Sequence, residues 1–72
     1  MAYVLDTNAP GHKAMVYSNV VSLLSEYDRI PDGWQVSIEY AGCELWYGMK
    51  GDTNPPKANE LTEKARNVNG AE

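Results

Sequence analysis

The chain has 72 residues, with six Lys and Arg against ten Asp and Glu, one Cys and one His, and a formal net charge of -4. This length suits one small domain that buries only about 60% of the surface its unfolded chain exposes; a lone cysteine excludes an internal disulfide, and one Cys with one His excludes a zinc finger. No apolar run is long enough to cross a bilayer and no basic segment leads into an apolar one, so the sequence predicts a soluble, cytoplasmic protein.

Residues 3–7 alternate Tyr and Leu with Val and Asp, which predicts a brief strand. Residues 8–12, Asn-Ala-Pro-Gly-His, form a turn leading into a main helix over about 13–27. Along that helix Tyr17, Val20, Val21, Leu24 and Tyr27 recur at spacings of three and four, with Val16 and Leu23 beside them. Its valines and serines lower helix propensity, so packing must hold it. Residues 30–33, Ile-Pro-Asp-Gly, stop it: Pro31 disfavours helical geometry at Ile30, and Pro-Asp-Gly is a turn signal.

Residues 34–49 read as a β-hairpin, because apolar residues alternate on both sides of Ala41-Gly42. With facing residues summing to 83, Trp34, Val36, Ile38 and Tyr40 meet Met49, Tyr47, Leu45 and Cys43 on one apolar face. The other face then carries Gln35, Ser37, Glu39, Glu44 and Trp46, with the two glutamates directly opposed, a pairing that repulsion disfavours. A two-residue turn would ask Ala41 for positive φ, so a four-residue loop over 40–43 is expected. Thr53 or Asn54 can cap a second helix over about 56–67, with a narrow stripe of Ala58, Leu61, Ala65 and Val68 that predicts weak docking and frayed last residues. The fold class predicted is α+β in the order β-α-β-β-α, a hairpin or three-stranded sheet on one main helix.

Little here assembles catalytic chemistry. Cys43 falls on the apolar face at the hairpin tip, where a small buried hydrophobe is expected, and His12 lies in a turn as a solvated residue. A Cys-His nucleophile needs both within hydrogen-bond reach, and nothing in the sequence joins them. Glu39 and Glu44 would make two cation ligands without a third, and Gly42, Gly48 and Gly51 do not form a nucleotide-binding fingerprint. No enzyme, cofactor or metal is expected. Residues 4–8, Val-Leu-Asp-Thr-Asn, resemble the first strand and acid of PIN-domain nucleases; that family carries further acids on a larger domain, and the rest of its pattern is missing here.

Residues 1–48 hold six acids against two bases, whereas 49–72 hold four of each. An acidic surface repels phosphates, so nucleic acid is a poor partner for the first part. The alternative is a small nucleic-acid-binding regulator that uses the C-terminal helix through Lys57, Lys64 and Arg66, assisted by Lys50. The aromatic set is two Trp and five Tyr with no Phe, and such rings suit interfaces because they bring area together with a polar tip. The leading expectation is therefore a noncatalytic protein-binding module that occludes or bridges a partner with a basic surface, using Gln35, Ser37, Glu39, Glu44 and Trp46. In character it resembles the small acidic inhibitors that phages and mobile elements direct at host machinery. A hairpin edge also offers a route to a homodimer.

Overall fold

Val16 and Tyr17 are residue types that favour strands, and in the computed structural model, which describes residues 2–70, they pair with Val4 and Tyr3, with Met15 opposite Leu5. The helix predicted over 13–27 begins only at Val20. Asn19 keeps an extended backbone and its side chain accepts the Ser22 N–H at 2.8 Å, an N-cap that starts the helix there. The elements run β1 (Tyr3–Thr7), β2 (Met15–Tyr17), α1 (Val20–Tyr27), β3 (Gln35–Tyr40), β4 (Cys43–Met49) and α2 (Ala58–Gly70). An extra strand thus corrects the predicted order. The described residues form one antiparallel sheet, β2-β1-β3-β4, with two helices, an α+β protein.

Leu5, Val36, Ile38 and Leu45 from the sheet are buried with Val20, Leu23, Tyr27, Leu61 and Ala65 from the helices, in one cluster. Both helices therefore cover the same sheet face, α1 over β1 and β2, α2 against β4 and α1. Leu23, rather than the predicted Val21, faces the sheet, and Val21 is 73% exposed. Asp28 caps the helix, and Ile30 N–H still donates to the Tyr27 carbonyl at 3.0 Å before Pro31 and Gly33 redirect the chain. The C-terminal helix starts at Ala58, two residues later than predicted, and continues through Gly70. Leu61 and Ala65 are buried, so its stripe is used within the fold; burying one leucine contributes about 1.5–3 kcal/mol. The expectation of fraying falls partly on 71 and 72, outside the described residues.

The hairpin departs from its predicted form in two ways. Ala41 (φ 53°) and Gly42 (φ 81°) both take left-handed backbone, so the connection is a two-residue turn and not the expected four-residue loop. Such a turn matches the twist of the flanking strands, which offsets the roughly 1–2 kcal/mol that left-handed backbone costs a residue with a Cβ. The pairs Tyr40↔Cys43 and Glu39↔Glu44 follow the predicted register, but the next are Ile38↔Trp46, Ser37↔Tyr47, Val36↔Gly48 and Gln35↔Met49. Leu45 is the extra residue of a β-bulge. Lys64 on α2 fastens it by donating from Nζ to the Leu45 carbonyl at 3.0 Å.

Candidate protein-binding surface

A one-residue slip sends every later side chain to the other face, and the bulge does this to the second half of β4. Trp46 lies opposite the buried Ile38 and packs half-buried on the core, edge-on to Tyr27 with ring centroids 5.8 Å apart. Its predicted place among the polar residues is thereby corrected. The exchange brings Tyr47 and Met49 out to the open face, 57% and 43% exposed. Gly48 records the same geometry: a Cβ there would come within 2.8 Å of the Trp46 ring. An isolated glycine inside a strand pattern is a signal for a bulge or a close approach, and it was the one available clue to Tyr47 and Met49.

The face of the sheet away from the helices can be followed strand by strand. One row runs Val16, Val4, Glu39 and Glu44, and the next Asp6, Ser37 and Tyr47, with Gln35 beside Met49 at the end. Four of the five predicted site residues, Gln35, Ser37, Glu39 and Glu44, share this face, and Glu39 faces Glu44 as the sequence suggested. Gln35 and Glu44 are exposed, Ser37 and Glu39 half-buried. Asp6 adds a third carboxylate; its Oδ1 accepts the Thr7 N–H at 2.8 Å and lies 3.9 Å from His12 Nδ1. The surface therefore combines acids with a tyrosine, a methionine and the exposed Val16, and its rows contain no lysine or arginine.

The basic residues of the alternative reading are spent elsewhere. Lys50, with its side chain only 15% exposed, donates from Nζ to the carbonyls of Ile30 (2.8 Å) and Asp28 (3.3 Å) and sits 5.2 Å from the Tyr27 ring centroid. A cation at a helix C-terminus satisfies carbonyls that the helix leaves unpaired. Lys64 holds the bulge, and Arg66 Nη1 lies 3.5 Å from Glu63 Oε2 on its own helix. Only Lys57 of the four has no such contact described.

Cys43 is exposed at the hairpin tip, which corrects the expectation that it is buried. His12 is half-buried rather than solvated and lines a cleft with Trp34, toward the end of β3 opposite Tyr40 and Cys43, so the thiol and the imidazole are not neighbours. Among the described residues no group of three His, Cys, Asp or Glu side chains is placed to hold a metal ion, and no helix is long and apolar enough to cross a membrane. Burial, followed by the charges of Asp28, Asp32 and Asp52, pushes the Tyr27 hydroxyl above the ordinary tyrosine range. Compared with known proteins, the chain matches no protein family, no curated protein and no solved structure.

Proposed function

We propose that the protein is a noncatalytic binding module whose open sheet face docks onto a basic, partly apolar surface of a protein partner and occludes it. The observation that carries this reading is the exposure of Tyr47 and Met49 beside Glu39, Glu44 and Asp6 on the face that neither helix covers. Tyrosine and methionine are enriched at interface centres, and the carboxylates select a partner that supplies lysine or arginine. The same charges argue against a second copy as the occupant, because two acidic faces repel. Of the predicted residues, Gln35, Ser37, Glu39 and Glu44 remain in the proposed contact. Trp46 supports it from behind, and Tyr47 takes the aromatic role.

Glu39→Lys tests the idea cleanly, since it converts a like-charge cross-strand pair into an opposite-charge one and should preserve the fold or stabilise it by about 0.2–1 kcal/mol. Affinity capture from the native host, read by mass spectrometry, should then recover a protein with the wild-type chain and lose it with the variant. Equal recovery with a folded Glu39→Lys chain would sink the proposal.

A further inference from the structure

β2 is an outer strand, and among the described residues no strand pairs with its free edge. The other outer strand, β4, is interrupted by the bulge that Lys64 fastens, a feature that keeps an edge from recruiting another chain. β2 has no bulge, and its two helix-side residues each open onto a depression. Met15 lines a mainly apolar cleft of about 220 Å³ with Leu5, Ile30, Pro31 and Trp34, to which His12, Glu26 and Arg29 also contribute. Tyr17 lines a more polar groove with Ser22, Ser25, Glu26 and Arg29. Its hydroxyl is shielded from solvent and has no hydrogen-bond partner. Burial and then the Glu26 charge push that hydroxyl above its ordinary range, so it stays protonated and uncharged beside Glu26.

We infer that the β2 edge and its two flanking depressions bind an extended peptide segment of a partner protein, which adds a strand to β2, seats an apolar side chain in the Met15 cleft and places a lysine or arginine two residues away beside Tyr17 and Glu26. Alternate residues of a strand project to one side roughly 7 Å apart, so a peptide in register with β2 presents one side chain to each depression. Backbone pairing supplies affinity in this mode, and the pockets supply selectivity. Charge selects the second side chain: Glu26 is held only by Arg29 at 3.8 Å in an exposed pair on the same helix, an interaction readily exchanged for another cation, and the chain carries a net charge of -4. An acidic side chain would meet Glu26 unfavourably, and an apolar one would leave the Tyr17 hydroxyl unpaired. This site lies on the helix side of the sheet and stands independently of the open face.

The test titrates the isotope-labelled full chain with the peptide acetyl-Thr-Leu-Thr-Lys-Thr-amide, following backbone amides and the tryptophan indoles by NMR. Saturable shifts should appear at Met15, Val16, Tyr17 and the Trp34 indole. The same peptide with Glu in place of Lys should bind about tenfold more weakly, and Glu26→Gln, with its amide spectrum still folded, should erase that preference. No shift at 15–17 with millimolar peptide would overturn the inference. So would equal affinity for the Lys and Glu peptides, or shifts confined to Tyr47 and Met49, which would move the peptide to the open face.

Discussion

Gly48→Ala is a small change with a large expected consequence. The new Cβ would lie 2.8 Å from Cζ2 and 2.9 Å from Cη2 of Trp46, well inside van der Waals contact. The indole is half-buried, edge-on to Tyr27 and packed against the core, so moving away from the new Cβ disturbs those contacts. Overpacking of this kind costs about 1–3 kcal/mol. Against it stands a gain, because Gly48 does not take positive φ and replacing glycine by alanine at a compatible strand position stabilises by roughly 0.4–1 kcal/mol. The clash wins, leaving a net loss of about 1–2 kcal/mol. In a Trp46→Leu background the obstructing ring atoms are gone and the same substitution should be neutral or stabilising. Urea unfolding of the two single variants, the double variant and the wild type closes a double-mutant cycle with an expected coupling of about 1–3 kcal/mol. Had the hairpin kept one register throughout, Gly48 would lie opposite Gln35 on the open face. Additive effects in the cycle would therefore refute the bulge and the burial of Trp46.

Three further outcomes follow from the same contacts. Ala41→Asn should raise stability by about 0.5–1 kcal/mol in thermal melts, since asparagine tolerates the left-handed backbone that Ala41 holds at φ 53°. Lys50→Met should cost about 1–3 kcal/mol in urea by leaving the Ile30 and Asp28 carbonyls without their donor, whereas Arg66→Ala, which breaks only an exposed pair, should fall within about 0.5 kcal/mol of wild type. Burial raises the hydroxyl pKa of Tyr3, Tyr17 and Tyr27 above 10.0 in the folded state. The unfolded chain therefore loses those protons first, and stability that is fully present below pH 10 should fall as pH rises from there through the folded values. Melting temperatures that stay level through this window would contradict it.

Much of this architecture is legible in the sequence where a local signal and the tertiary demand agree. The strand at Tyr3–Thr7, the hairpin arms, the stop at Pro31 and the apolar stripe of the second helix all belong to that group. The misread elements are those where two local signals compete. Residues 15–17 satisfy helical spacing toward Val20 and also suit a strand, and only the outer side of β1, a long-range feature, decides between them. Asn19 was the local sign of the true helix start. The open face shows the same limit more sharply: Gln35, Ser37, Glu39 and Glu44 precede or adjoin the bulge and keep their predicted side, while Trp46 and Tyr47 lie beyond it and exchange places. Alternation cannot count an extra residue. Gly48 hints at one without saying where it falls.

The most direct measurement is photo-crosslinking from a benzoylphenylalanine placed at position 47, with position 62 on the exposed side of α2 as the control. In host cells the first should give a discrete adduct with a basic partner protein, lost when Glu39→Lys is added, and the second should give none. An adduct from position 62 but not from position 47 would move the interface to the helices and contradict the assignment of the open sheet face.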